Sequence, residues 1–153
     1  MESFLECCRK YLLLSDSSVK TCNSFASNQL NPKEDSKDRV NTSLVEVLNV
    51  FDSLSEIVAE LSSLGDSLVF DFSQSSRLSH VVDVISLITQ KIQHDFAYKS
   101  SILQEFIRYP HPDREQFFTL LSIWAIRPSA SSATMHSLLE VLSSHNLVSS
   151  RKI

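Results

Sequence analysis

The sequence predicts an all-α fold: an elongated antiparallel three-helix bundle or coiled coil with two short C-terminal helices, in a single domain of 153 residues. Glycine occurs once, at Gly65, and proline only four times in the whole chain. Tight hairpin turns and phosphate-binding loops usually need glycine, because glycine adopts positive φ at little cost. So few turn residues, combined with apolar residues at heptad spacing, are typical of long helices.

Residues 1–30 predict the first helix, which has a loose apolar stripe. The stripe consists of Phe4, Cys8, Tyr11, Leu12, Val19, Cys22 and Phe25. Serines at positions 15, 17 and 18 thin the stripe in its middle. The polar segment 31–36 follows, and its proline at position 32 predicts a linker that ends the helix.

The second helix, predicted over residues 37–68, carries the most regular pattern in the chain. Its seam repeats at alternating steps of three and four, through Leu44, Val47, Phe51, Leu54, Val58 and Leu61. Further apolar residues on both flanks widen the stripe beyond what a two-stranded coiled coil needs, which indicates packing against two or more helices. Gly65 interrupts the seam. It either caps the helix in a left-handed conformation or forms a weak point inside it.

The third helix is predicted over residues 75–109, after a turn at 70–73 that is short enough to force an antiparallel hairpin. Its seam consists of Leu78, Val81, Ile85, Ile88 and Ile92. Asp95 then breaks the spacing, which resumes after a shift of four residues and predicts a local unwinding of the supercoil. Asp95 and Lys99 are interpreted as an i,i+4 pair on the helix surface.

The C-terminal segment 113–145 predicts two short helices. Asp113 with Gln116 predicts a capping box at the start of the first one, which is apolar nearly all the way round and must be covered on more than one side. Its large side chains either hold the segment against the long hairpin or form part of a surface that binds a partner. The candidate partner-binding residues are Phe117, Phe118, Leu121, Trp124 and Ile126, because aromatic anchors concentrate interface energy.

Composition argues against several classes of function. A net charge of −4 does not suit direct nucleic-acid binding, and no uncharged apolar run is long enough to cross a membrane. Three cysteines, two of them adjacent, do not suit a disulfide framework, and the histidines follow no metal-ligand spacing. No segment supplies a nucleophile, a base and an orienting group together. We therefore expect no catalytic, cofactor or metal site, and no enzyme.

Several segments together resemble a known family. They are YKSSIL at 98–103, PD at 112–113, LLSIW at 120–124, RP at 127–128 and SLLE at 137–140, with a weaker match at KYLLLSD, 10–16. This combination resembles the cyclin-dependent kinase 2-interacting protein family. In that family a long helix leads through an Asp-Pro-Asp-like break into a Leu-Ser-x-Trp helix and a short terminal helix.

The resemblance implies a non-enzymatic adaptor subunit that binds other proteins in a nuclear complex. Such complexes are linked to DNA replication and the cell cycle, to checkpoint signalling, or to an AAA-type unfoldase (AAA ATPase) assembly in ribosome biogenesis. It implies a hetero-oligomer with an AAA-type unfoldase complex or a cell-cycle kinase, in the nucleus and also in the cytoplasm. The sequence departs from the family because it lacks a basic N-terminal extension and has a shorter link between the second and third helices. The heptads alone equally fit a structural coiled-coil subunit of a microtubule- or kinetochore-type complex.

Overall fold

Five α-helices make up nearly all of the structure, a computed structural model that describes residues 1–30, 36–108, 113–127 and 130–150. The helices are α1 (Glu2–Leu30), α2 (Ser36–Ser73), α3 (Ser79–Arg108), α4 (Arg114–Ile126) and α5 (Ser132–Ser150). A 3-10 turn, Ser76–Leu78, leads into α3. No strand occurs within the described ranges, and the all-α prediction is confirmed.

The helices form a bundle with four corners, the last of which is shared by α4 and α5. α2 packs against both α1 and α3, whereas the backbones of α1 and α3 do not come into contact along these described helices. α4 and α5 each pack against α1 and α3, and neither packs against α2. α1 and α3 are therefore diagonal to each other, and α4 with α5 fills the corner opposite α2.

α4 and α5 follow each other as one interrupted column that runs antiparallel to α3. Near the end of α3, the ring of Phe106 stacks on Phe117 in the first turns of α4, with centroids 4.7 Å apart. At the other end of the bundle, the ring of His145 in α5 lies 6.3 Å from that of His80, the second residue of α3. The two short C-terminal helices thus complete the bundle as its fourth column.

α2 is longer than the sequence predicted. The predicted turn at 70–73 is instead the last turn of α2, which ends at Ser73. The helix continues because Val69 and Phe72 are half-buried against the same apolar core as the rest of α2. α3 begins at Ser79 and not at residue 75, after the 3-10 turn.

Gly65 is an interior residue of α2, so the cap interpretation is wrong. Its φ is not positive. A Cβ atom at this position would lie 2.7 Å from Oγ1 of Thr89 in α3 and 3.4 Å from Cε2 of Phe4 in α1. The only glycine of the chain therefore marks the place where side chains of α1 and α3 both reach the backbone of α2.

The seam residues are buried to two depths. Those that are at most 2 % exposed are Val47, Leu54, Leu61, Val81, Ile85, Ile88 and Ile92. Those that are half-buried are Leu44, Phe51, Val58 and Leu78. The first group faces the bundle axis, and the second lies between neighbouring helices, as the stacking of Phe51 on Phe96 of α3 at 4.7 Å illustrates.

The predicted ends of the helices are only partly described. The linker at 31–36 lies outside the described residues except for Ser36, which is already the first residue of α2. The predicted end of the third helix, residue 109, also lies outside them, whereas α5 extends to Ser150, beyond the predicted end of the C-terminal segment at 145. The predicted capping box does not form: the Asp113 side chain makes no cap hydrogen bond, and its backbone carbonyl accepts from the N–H of Phe117 at 2.9 Å.

Candidate functional site

The five candidate partner-binding residues of α4 do not share one environment. Phe117, Leu121 and Trp124 are only 0 %, 7 % and 2 % exposed, whereas Phe118 and Ile126 are 49 % and 67 % exposed. A helix that is apolar on all sides can press only one side against the bundle. The three buried residues are therefore not an accessible partner surface, which corrects that part of the prediction.

The buried side of α4 is held by a cluster of three aromatic rings. Phe117 lies 4.7 Å from Phe106 of α3 and 5.9 Å from Phe25 of α1, measured between ring centroids. The rings of Phe25 and Phe106 are themselves 5.7 Å apart. Aromatic pairs at these distances add about 0.5–1.5 kcal/mol each beyond the burial of their area. The cluster joins α1, α3 and α4 although α1 and α3 do not touch through their backbones.

Trp124 fixes the other end of α4. Its indole Nε1–H donates a hydrogen bond to Oγ of Ser18 in α1 at 2.8 Å, and the Ser18 hydroxyl donates in turn to the Ser15 carbonyl at 2.6 Å. Nζ of Lys99 lies 5.6 Å from the centre of the indole ring, within the range of a cation–π interaction. The only tryptophan of the chain is thus an internal anchor.

A layer of buried polar side chains separates two apolar clusters in the bundle. One cluster contains residues of α5 together with the first half of α1, and the other contains residues of α4 together with the second half of α1. The polar layer consists of Ser15, Ser18, Asp95, Lys99 and Arg127, each at most 4 % exposed. The layer lies where the fourth column passes from α4 to α5.

Asp95 is the centre of the polar layer. Its Oδ2 atom accepts a hydrogen bond from Oη of Tyr11 in α1 at 2.7 Å and one from Nζ of Lys99 at 2.6 Å. Both members of the Asp95–Lys99 pair are 1 % exposed. The i,i+4 spacing was predicted, but the surface position was wrong: the four-residue shift in the seam turns this pair inward, where Tyr11 meets it.

Burial changes the protonation behaviour of the groups around Asp95. It lowers the pKa of Lys99, an effect that the Asp95 carboxylate opposes. It raises the pKa of Tyr11 above its ordinary value, and Asp95 adds to that rise. Burial also raises the pKa of the Cys22 thiol to about 12. Tyr11 therefore remains a hydrogen-bond donor, and Cys22 is a protonated thiol, which is a poor nucleophile.

Arg127 ends α4 and is the second charged centre of the layer. It adopts the left-handed conformation with φ of 50°, and its N–H donates to the Ile123 carbonyl at 3.3 Å. Its guanidinium binds Oδ1 of Asp16 at 2.9 Å and Oγ of Ser132 at 2.5 Å. Nε and Nη1 have no partner among the described residues. Arg127 thus ties α1 to the beginning of α5.

The outer face of α4 is the accessible part of the predicted site. We define it as Phe118, Ser122, Ile123, Ala125 and Ile126, all exposed. Ile123, which is 37 % exposed, was not among the candidate residues. The apolar composition of the helix signalled that one side would remain open, but only the contacts of Phe117 and Trp124 show which side.

The described residues contain no group of three or more histidine, cysteine or acidic side chains placed to hold a metal ion. All three cysteines are free and buried. No described helix is both long and apolar enough to cross a membrane.

Comparisons with family models, curated proteins and solved structures find no match to this chain.

Proposed function

We propose that this protein is a non-enzymatic helical adaptor that binds another protein through the outer face of α4. The observation that carries the proposal is the exposure of Phe118, Ile123 and Ile126 on a helix of 13 residues whose opposite side is anchored in the bundle. Large apolar residues that are held rigidly and left open to solvent are a common mark of protein–protein interfaces.

The outer face has the shape that suits docking of a helix. Phe118, Ser122 and Ala125 follow one another at i, i+4 and i+7, so small residues lie between the large ones and allow a partner backbone to come close. Arg114 lies over the ring of Phe118 at 5.6 Å. Arginine and aromatic residues are enriched among those that dominate binding energy.

The proposal extends to the cellular role that the family resemblance implies. In this proposed role, the chain is a subunit of a nuclear complex that is linked to DNA replication, to checkpoint signalling or to an AAA-type unfoldase assembly in ribosome maturation. The alternative role, a coiled-coil subunit of a microtubule- or kinetochore-type complex, would need an apolar seam available to another chain. The deeply buried part of the seam, Leu54 and Ile88 for example, is used inside the bundle, which favours the adaptor.

Affinity purification of the tagged chain, followed by quantitative mass spectrometry, tests the proposal. The double variant Phe118→Ala/Ile126→Ala should recover at least tenfold less partner than the wild type, because two interface anchors are lost. The matched control is Phe70→Ala/Val45→Ala, which removes two apolar side chains that are 70 % and 53 % exposed elsewhere on the bundle. This control should keep the partner.

Circular dichroism and Trp124 fluorescence must be unchanged in both variants, since all four side chains are exposed. Recovery of an AAA-type unfoldase or a replication kinase would support the nuclear role, and recovery of tubulin-associated subunits would support the alternative. Equal loss of partner in the two variants would contradict the assignment of the site to α4.

A further inference from the structure

Ser132 is an exposed serine at the first position of α5, beside a buried arginine. Its Oγ atom accepts a hydrogen bond from Nη2 of Arg127 at 2.5 Å. The carbonyl of Ser131 accepts the first backbone hydrogen bond of the helix, from the N–H of Met135 at 2.9 Å. Ser132 therefore lies in the first turn, where free backbone N–H groups and the helix dipole favour a negative charge.

Arg127 carries hydrogen-bond donors that its partners leave unused. The side chain is 4 % exposed, and Nε and Nη1 have no partner among the described residues. Oγ of Ser132 and Oδ1 of Asp16, at 2.9 Å, are both bound by the same atom, Nη2. A buried donor without an acceptor is costly, and a phosphate group is a ligand that arginine binds through two parallel hydrogen bonds. The guanidinium thus has capacity for a stronger acceptor at Ser132.

Asp16 is the anion that a phosphate at this place would meet. It belongs to α1, and its side chain is 60 % exposed. Ser132 already touches the guanidinium, so a phosphoryl group on its Oγ is brought to Arg127 by the serine itself. A phosphate has about twice the charge of a carboxylate and three acceptor oxygens, and the exposed Asp16 is free to turn into water.

Three further ionisable side chains line the groove between α1 and α5 to which Ser132 belongs: Arg9, His136 and Glu140. His136 lies one turn after Ser132 and is positively charged only when it is protonated, whereas Glu140 is negative. Glu140 lies two turns from Ser132, about 12 Å along the helix, which exceeds the Debye length of about 8–10 Å in physiological salt. Arg9 precedes Asp16 by nearly two turns. These exposed charges therefore act weakly at Ser132, and the buried guanidinium dominates.

We infer that Ser132 is a phosphorylation site, and that its phosphate takes the guanidinium of Arg127 from Asp16. A protein kinase transfers the γ-phosphoryl group of ATP to the serine. A bond forms between Oγ and the γ-phosphorus, the bond from that phosphorus to the β,γ-bridging oxygen breaks, ADP leaves and the hydroxyl proton is released. Helix ends fray, so Ser132 can enter a kinase active site without opening the bundle.

The modification exchanges one contact between helices for another. The phosphate oxygens accept hydrogen bonds from Arg127 and from the first N–H groups of α5. The end of α4 is then bound more firmly to α5, and α1 loses its ion pair with Arg127. This inference goes beyond the proposed function, because it concerns a covalent modification of α5 and not the binding of a partner by α4.

Mass spectrometry of the endogenous full chain, purified in the presence of phosphatase inhibitors, tests whether the modification occurs. We expect phosphate on Ser132, distinguished from the neighbouring serines by fragment ions. Phosphate at other positions only, or no phosphate at all, overturns the inference.

A full-length chain with phosphoserine at position 132, made with an expanded genetic code, tests the exchange of partners. In the unmodified protein, Asp16→Asn leaves Arg127 buried without a counterion and should lower Tm by about 4 °C or more. In the phosphorylated protein, the same change should lower Tm by less than about half as much, because the phosphate already holds Arg127. Asp16 is exposed, so the variant should fold in both forms.

Phosphoserine at Ser3 is the matched control, because this exposed serine also lies in the first turn of a helix, about 20 Å along α1 from Asp16. Asp16→Asn should cost this protein as much as it costs the unmodified one. In ³¹P NMR titrations, the second pKa of the phosphate on Ser132 should be about one unit lower in the folded protein than in urea, and that on Ser3 should change much less.

Three results would contradict the exchange. They are equal losses from Asp16→Asn with and without phosphate on Ser132, a second pKa that folding does not lower, and equal relief of the Asp16→Asn loss when inorganic phosphate is added to the unmodified protein. The last result would mean that the site binds a free anion and that Ser132 need not be modified.

Discussion

Asp95 is a buried charge whose partners come from two different elements. Tyr11 and Lys99 together satisfy one carboxylate oxygen at 2.7 and 2.6 Å. A buried ion pair adds little net stability compared with apolar residues of equal volume, but the loss of one member is costly because the other stays charged without a counterion. The polar layer therefore contributes more to the specificity of the contacts among α1, α3 and α4 than to their stability.

The variant Asp95→Asn should lower the free energy of unfolding by about 3–5 kcal/mol, because the Lys99 ammonium is left buried and unpaired. Urea unfolding followed by circular dichroism measures this change. The matched control is Glu6→Gln, which breaks the i,i+4 pair of Lys10 with Glu6, whose members are 61 % and 62 % exposed. Its urea midpoint should stay close to that of the wild type, and similar losses in both variants would contradict the buried pair.

Cys8 should make the protein less stable in alkaline solution. Burial raises the pKa of its thiol from 9.0 to about 12, so the folded state keeps a proton that the unfolded chain releases. This contribution to the free energy of unfolding is fully present below pH 9 and is lost as the pH rises towards 12. The loss reaches about 1.4 kcal/mol at about pH 10. When the pH rises from about 8 to 10, the free energy of unfolding of the wild type should therefore fall by about 1.4 kcal/mol more than that of Cys8→Ala.

The Cys8→Ala measurement needs a reductant to keep all thiols free. A cavity at position 8 lowers the stability of the variant at every pH, so only the slope with pH is informative. Equal slopes for the variant and the wild type would show that the Cys8 thiol is not shielded from water in solution.

At the scale of single elements, periodicity alone identified the long helices but not the depth of their residues. Val47 and Phe51 both belong to the seam and were predicted to be equally buried. Val47 is buried and Phe51 only half-buried, because the depth of a residue depends on which neighbours flank α2. The inward turn of Asp95 could not be predicted either. Its partner Tyr11 lies 84 positions away in the chain, and a polar break in a seam is compatible with both a core and a surface position.

Gly65→Ala should destabilise the bundle, although alanine is the better helix former by about 1 kcal/mol. Its Cβ would meet Oγ1 of Thr89 at 2.7 Å. Thr89 can give way only if α3 shifts or if its side chain leaves the rotamer in which the hydroxyl donates to the Ile85 carbonyl at 2.9 Å. We expect a net loss of about 1–3 kcal/mol in thermal or urea unfolding. In a double-mutant cycle, adding Thr89→Ala should recover part of this loss, whereas a stabilising Gly65→Ala would contradict the close approach of the helices.

At the scale of the whole molecule, the four-cornered arrangement depends on contacts between the ends of the chain. The sequence predicted that the C-terminal helices are apolar, but it left open whether they fold back or bind elsewhere. The bond between Trp124 and Ser18, which are 106 positions apart, decides that α4 folds back. Sequence patterns describe faces of helices, and they do not tell which two faces meet over such a distance.

Trp124 provides a direct test of this arrangement in solution. Because it is 2 % exposed in the native bundle, its fluorescence should be blue-shifted in the folded protein. It should also shift to the red in the same urea transition that circular dichroism reports for the long helices. A control on the Phe118→Ala variant should give the same two curves. Emission typical of an exposed indole, or an earlier fluorescence transition, would mean that α4 is detached from α1 and α3.

The fourth column also has a consequence for the growing chain during translation. α1, α2 and α3 leave the ribosome first, and the diagonal between α1 and α3 stays open until α4 and α5 follow. Phe25 and Phe106 therefore lack Phe117, their ring partner in the finished bundle, until α4 has been synthesised. Domains generally fold as units during synthesis, at about 5–20 residues per second. The bundle can therefore close as a unit only after its last two helices have been synthesised.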